Sequence, residues 1–209
     1  VPHEFEGVPP FGVMFQSGAL FGSMTLAENC ALPLTTWTSV EGDTAQELIR
    51  VKLDLVDLGP FADHLPGEIS GGMKKRAAIA RAIVMDPDVV FFDEPSAGLD
   101  PVTAAEIDNL ICKLNQVFGI TMVVVTHDLP SAQCIADRVA VFLDGRVAAV
   151  GERRQGEALH GVKHAQAAVG HREGRRRRLR GTTRRRRRLF RRRRHGGLHQ
   201  RRQRVVLVH

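Results

Sequence analysis

The sequence predicts an α/β fold built around a parallel sheet, and three observations carry that reading. Val89 to Phe92 and Thr121 to Val125 are unbroken apolar runs of strand length, the pattern of strands covered on both faces. Between them Ile107, Leu110, Ile111, Leu114 and Val117 recur at helical spacing. Strand, helix and strand in that order require a right-handed crossover and two neighbouring parallel strands. Charge then marks where the fold stops. Residues 1–151 carry 9 Lys and Arg against 20 Asp and Glu, whereas residues 152–209 carry 21 against 3. The net charge of +7 therefore describes a tail and not the folded part. About 150 residues suffice to bury roughly two-thirds of the unfolded surface.

The elements follow in order. Phe11 to Phe15 is a short strand candidate, with Gln16-Ser17-Gly18 after it. Thr25-Leu26-Ala27-Glu28 has capping-box spacing and starts a short helix expected to end before Pro33. Thr44-Ala45-Gln46-Glu47 is a second such box, and Leu48, Val51, Leu55 and Leu58 follow as an apolar stripe until Gly59-Pro60. Ser70-Gly71-Gly72 opens a helix to about Met85, with Met73, Ala77, Ala80 and Val84 on one face. Asp100-Pro101 reads as N-cap and first helical position, and Gly119 ends that helix. Val139 to Leu143 and Arg146 to Val150 read as a closing hairpin about Asp144-Gly145.

Cys30, Cys112 and Cys134 show no C-x-x-C spacing and sit among apolar neighbours, so each is expected to be a reduced core thiol of a cytosolic protein. Val1 to Pro10 lack the basic start and apolar run of a signal peptide. No apolar stretch approaches the roughly 20 residues of a membrane span.

The chemistry gathers at strand ends. Asp93 and Glu94 follow directly on an apolar strand, at its C-terminal end, where open α/β sheets place ligands. Phosphoryl transfer needs a metal, a positioned water and groups that stabilise charge on the phosphate. Asp93 suits Mg²⁺, and Glu94 suits the attacking water as a base. His127 ends the neighbouring strand and is expected beside the two carboxylates. Ser70, Gly71 and Gly72 lie at a helix N-terminus, whose N–H groups and dipole favour an anion. Lys74, Lys75 and Arg76 crowd that first turn, where a cation opposes the dipole unless a phosphate is near; a solvated basic face is the ordinary alternative. Gln16 has an amide able to ligate Mg²⁺ or water. Singly, each of these residues also suits an ordinary strand end, helix cap or loop.

Their order is what discriminates. Gln16, Ser70-Gly71-Gly72, Asp93-Glu94, Ser96-Ala97-Gly98-Leu99-Asp100 and His127 together resemble the ATPase subunits of ABC transporters, over about Gly12 to Gly151. The resemblance implies a partial P-loop NTPase (ABC ATPase) fold with a parallel sheet and a helical subdomain, using ATP and Mg²⁺. It implies Glu94 and His127 as catalytic residues, Asp93 and Gln16 at the metal, and Gln16, Ser70, Gly71, Gly72 and Asp100 at ATP. It implies a head-to-tail dimer with a second ATPase subunit, and a membrane permease docked on the surface around Gln16. That would place the chain in the cytoplasm, peripheral on the inner face of the membrane. Phe15-Gln16-Ser17-Gly18-Ala19-Leu20-Phe21, Met73 and Asp93 to Pro101 look like the Mla/Mce-type lipid transporter ATPases, which implies lipid transport.

Two departures shape the expectation. No G-x-x-x-x-G-K-[ST] and no Gly-Lys pair occurs, so the loop that grips phosphates is missing and the chain alone is expected to be inactive. That loop should precede Gln16, and a first residue of Val fits an incomplete chain. The tail, residues 152–209, holds 20 Arg and one Lys and is expected to be disordered. It suits a shifted reading frame of GC-rich DNA better than a nucleic-acid arm, because selection for positive charge would accept lysine as readily as arginine, and Phe190 is its only aromatic residue able to stack on a base. Two alternatives stay open: a non-catalytic fragment that binds the permease, and an Arg-rich nucleic-acid binder.

Overall fold

The computed structural model describes residues 11–143, 145–152 and 204–208. Strands β1 (Phe11–Met14), β2 (Val89–Asp93) and β3 (Thr121–Thr126) lie side by side and parallel. The register sets Met14 opposite Phe92 and Asp93 opposite Val125, so all three strands end at one edge of the sheet. Gln16, the Asp93-Glu94 pair and His127 all leave from that edge.

Burial alternates along the strands. Val90, Phe92, Met122 and Val124 are fully buried and join Ile79, Ile83, Ile107 and Ile111 in one core. Phe91 points the other way, is 41% exposed and meets Phe11 edge-on at 5.8 Å. Coverage of both faces, expected from the apolar run, is therefore incomplete among the described residues.

Helices α1 (Leu26–Trp37), α2 (Gly42–Leu55) and α3 (Gly71–Ile83) connect β1 to β2. The capping box at Thr25 is present, with Glu28 N–H donating to Thr25 Oγ1 at 3.1 Å and Thr25 N–H to Glu28 Oε2 at 2.7 Å. Pro33 does not end α1. A proline forfeits one helical hydrogen bond, and beyond it Leu34 is buried in the core while the hydroxyls of Thr35 and Thr36 donate back to Leu32 O. Thr44 does not cap α2, which starts at Gly42, a residue with φ of 61°. The buried face of α2 is also turned by about one residue. Ile49, Lys52 and Leu53 are inside, and Val51 is 49% exposed. Lys52 can be buried because its stem packs while its ammonium pairs with Asp86 and lies 5.3 Å from the Phe118 ring centroid.

Helix α4 (Pro101–Phe118) crosses from β2 to β3, capped by Asp100 and closed by Gly119 at φ 62°. Val117, expected on its buried stripe, is 63% exposed; Asp108 and Asn115 are buried there instead. Asn115 is satisfied by donating to Ile120 O at 2.7 Å. Gly12 has a close-packing role: a Cβ there would lie 1.9 Å from Ala82 O of α3. Cys30 is buried, which pushes its thiol up to about 12; Cys112 is half-buried; Cys134 is exposed, against the expectation of three core thiols.

Helix α5 (Leu129–Ile135) leads to β4 (Arg138–Leu143), which pairs antiparallel with β5 (Arg146–Glu152) as the expected hairpin. β3 and β4 are not neighbours. Strand β6 (Arg204–Val208) stands between them, parallel to both, giving the order β1-β2-β3-β6-β4-β5. Val206 and Val208 are buried, and Arg204 is held by Asp137 through Nη2 to Oδ1 at 2.9 Å. These five residues depart from the expectation of a disordered tail. Val205-Val206-Leu207-Val208 is its longest apolar run and is mostly β-branched valine, the composition that suits a half-buried pleated surface. The rest of the tail, residues 153–203, lies outside the described residues.

A charge at this position tests whether β6 belongs to the core. Val206→Asp is expected to destabilise the chain by about 3 kcal/mol or more, the range for an unpaired buried charge. Val150→Asp on exposed β5 should stay within about 0.5 kcal/mol. Urea denaturation of the two variants checks this.

Candidate active site

Glu94 anchors the site. It follows β2 with φ of 46°, a left-handed conformation that is uncommon for a residue with a side chain and clusters at functional sites. Its N–H donates to Val125 O at 2.9 Å, which continues the β2–β3 pairing by one residue. This turn sends a buried carboxylate across to the end of β3. Oε1 accepts from the His127 backbone N–H at 3.0 Å and lies 2.6 Å from His127 Nδ1, and Oε2 accepts from Thr126 Oγ1 at 3.2 Å. The hydrogen bond to Glu94 raises the imidazole pKa, and the carboxylate charge adds to this; burial opposes it weakly because the ring is largely exposed. Asp93, one residue earlier, is exposed.

Lys75 joins two loops at this edge. Its Nζ donates to Gln16 O at 2.5 Å and to Glu94 O at 3.1 Å. Burial lowers its pKa, while the charges of Glu94 and Asp93 resist that shift. Gln16 thus reaches the site through its backbone, and its side chain is exposed. Arg81 fixes the same loop, donating to Gly18 O at 2.7 Å and Ala19 O at 2.8 Å.

Ser70, Gly71, Gly72 and Asp100 form a second group where α3 and α4 begin. Ser70 Oγ accepts from Met73 N–H at 3.2 Å. Asp100 accepts from the N–H groups of Val102 and Thr103 and from Thr103 Oγ1 at 2.6 Å; these bonds, the hydroxyl first, hold its carboxyl below the usual range. Gly72 has no room for a side chain, since a Cβ would lie 2.5 Å from Thr103 Cγ2. The basic run is not a solvated face: Lys75 is buried, and Arg76 pairs with Asp57 at 2.7 Å and Glu106 at 2.9 Å. A cleft of about 730 Å³ opens beside Glu94 and His127 and is lined also by Leu99, Pro101 and Asp108.

The donor set can be tested against the metal. No cluster of three or more His, Cys, Asp or Glu that could hold an ion occurs among the described residues. One exposed carboxylate fits Mg²⁺, which keeps water and phosphate oxygens as most of its ligands, better than a cation that needs an all-protein cage.

Comparison with known proteins gives the site its setting. Residues 9–97 match the family model described as ABC transporter. The probable ribonucleotide transport ATP-binding protein mkl of Mycobacterium leprae is 43% identical over 143 residues, 68% of this chain and 41% of that protein. The intermembrane phospholipid transport system ATP-binding protein MlaF of Escherichia coli K12 is 42% identical over 139 residues, 66% of this chain and 52% of that protein. Among solved structures, the dimeric post-hydrolysis state of the ATP-binding cassette MJ0796, bound to ADP and Pi, superposes with a TM-score of 0.61 at 35% identity, over 68% of this chain and 62% of that one. The chain belongs to the ABC transporter ATP-binding family. It spans about half the length of the curated relatives it matches. No helix of the cassette among the described residues is long and apolar enough to cross a membrane.

Three groups in this part of the cassette escape a reading by motif. Lys75 has a signal, because it shares the buried α3 face of Gly72 and Ile79 at helical spacing; a lysine there implies an internal partner. Thr126 has only its place before His127. Asp108 breaks the apolar stripe of α4, and an isolated buried carboxylate is a reason to look for its donor.

Three outcomes check the geometry. His127 should keep its proton to a higher pH than an ordinary histidine, and Glu94→Gln should return its midpoint towards the usual value of about 6.5, read by NMR titration. The same pair should therefore stabilise the fold fully below that usual value and lose its contribution as pH rises through the raised one. Gly72→Ala should destabilise by about 1–3 kcal/mol from overpacking against Thr103, read by thermal denaturation.

Proposed function

We propose that the chain supplies the hydrolytic half-site of an ABC transporter ATPase, with Glu94 as general base and His127 as the cation at the phosphate. The observation that carries this reading is the Glu94–His127 contact of 2.6 Å, held at the carboxyl edge of a parallel sheet by a left-handed residue. When bound, ATP brings the phosphoryl group, and Mg²⁺ on Asp93, assisted by Gln16, offsets its charge. Glu94 Oε2, which accepts from Thr126 Oγ1, keeps a lone pair for a water and takes that water's proton as it attacks. The protonated His127 ring, fixed through Nδ1, directs positive charge outward from the site. Ser70, Gly71 and Gly72 present a helix N-terminus and Asp100 a fixed acceptor, which suits them to a nucleotide held by a second, head-to-tail subunit.

The absence of any G-x-x-x-x-G-K-[ST] supports a second element of the reading: this chain alone neither binds ATP with useful affinity nor hydrolyses it. The exposed Phe15 and Phe21 beside Gln16 suit a permease helix, and would hold the chain at the cytoplasmic face of a membrane. The cargo is then chosen by the permease. The MlaF relatives favour a phospholipid, and the mkl relatives are named for ribonucleotides. The same two phenylalanines support the alternative of a permease-binding chain without turnover.

The purified chain should show no Mg²⁺-dependent ATP turnover; turnover abolished by Glu94→Gln would refute inactivity. Fusing a relative's phosphate-loop strand, loop and helix ahead of Phe11 should restore turnover, and Glu94→Gln in that fusion should lower it by about 10²-fold or more. Equal turnover in the two fusions would remove Glu94 from the reaction.

A further inference from the structure

We propose that Asp108 is a positioning residue that sets the approach of Glu94 to His127. It touches neither. It lies on α4, on the buried stripe formed by Ile107, Leu110, Ile111 and Leu114, and is only 4% exposed. Its Oδ2 accepts from Ser131 Oγ at 2.6 Å, and Ser131 Oγ lies 3.3 Å from Ser96 Oγ. A serine hydroxyl has one proton. With that proton on Asp108, Ser131 can only accept from Ser96, so the chain of donation runs from Ser96 to Ser131 to Asp108. Asp128 Oδ2, 3.4 Å from Ser131 Oγ, is the weaker competitor for the same proton.

The two serines sit where leverage is greatest. Ser96 is two residues after Glu94, in the turn closed by Ala97 N–H donating to Glu94 O at 3.2 Å. Ser131 is in the first turn of α5, four residues after His127. Both are buried. One carboxylate on α4 therefore ties the segment that delivers the base to the segment that delivers the imidazole. Core packing alone gives no reason for an acid here. Asp108 Oδ1 is buried without a hydrogen-bond partner among the described residues, and burial raises the carboxyl pKa, with Ser131 opposing and the charge of Asp128 adding to the rise. A valine would fill the same stripe with no orphaned oxygen. What the acid adds is the bond to Ser131.

This inference rests on the reading of Glu94 and His127 as the hydrolytic pair, but its test needs no nucleotide. The titration midpoint of His127 is read by NMR in the intact chain and in Asp108→Ala, Ser131→Ala and Asp108→Asn. Glu94 and Asp128 are the charges that raise it, so a loosened pair lowers it. Asp108→Ala and Ser131→Ala are expected to lower the midpoint by about 0.5 pH unit, roughly threefold in proton affinity. Asp108→Asn, whose amide oxygen can still accept from Ser131, should keep it. A role in packing alone would change denaturation midpoints and leave His127 in the folded variants untouched. If Asp108→Ala does not fold, Ser131→Ala, which removes a single oxygen, decides alone. Folded Ser131→Ala with the wild-type midpoint overturns the proposal, whereas Glu94-independent turnover in the fusion described above overturns only the hydrolytic reading.

Discussion

The site depends on the register of β2 against β3. Asp93 stands opposite Val125, and the next residue, Glu94, makes its backbone bond to Val125 O while turning left-handed. A slip of one residue would point alternate side chains to the opposite face, and Glu94 would lose Thr126 and His127 together. The register is set by the core: Val90 and Phe92 on β2, and Met122 and Val124 on β3, are all fully buried on one face. Packing of apolar side chains along the strands thus fixes the position of a carboxylate at their ends, and the hydrogen bonds to Thr126 and His127 refine it.

Two buried polar side chains extend that control to the neighbouring loops. Lys75, from α3, binds the carbonyls of Gln16 and Glu94, so the loop after β1 and the turn after β2 share one ammonium. Asp108, from α4, gathers Ser131 and through it Ser96. Each is an expensive group to desolvate, and each is held where an apolar residue would serve the core better. Their helices approach the sheet from the same core, in which Ala77, Ile79, Ile107 and Ile111 are buried. A shift of α3 or α4 would therefore move Glu94 from two directions at once.

The sequence showed the positions of the candidate site residues more clearly than the element boundaries. Asp93-Glu94 after a strand, His127 after the next strand and Asp100 before a helix are local patterns, and each falls where its local rule puts it. The failures share a cause. Val51 and Val117 are apolar but exposed, while Lys52, Lys75, Asp108 and Asn115 are polar but buried. Periodicity assigns polar residues to solvent, and it cannot see a partner supplied from elsewhere: Asp86 for Lys52, Ser131 for Asp108, two backbone carbonyls for Lys75. Pro33 within α1 is similar, because the stop signal is local whereas burial of Leu34 is tertiary.

β6 completes the sheet beside the candidate site. β3 ends at Thr126, just before His127, and its backbone needs partners on both sides. β2 supplies one side; α5 carries the chain past the other side to β4, one strand position further on. The Val205–Val208 run takes that position in parallel with both neighbours, and Arg204 and Asp137 fasten its start. With β3 paired on both sides, Thr126 is held by the sheet, and Glu94 bonds to Thr126 and to His127 directly after it. The Glu94–His127 pair is thus a product of strand register and buried polar anchors, and the strand beside it need only be apolar, parallel and of the right length.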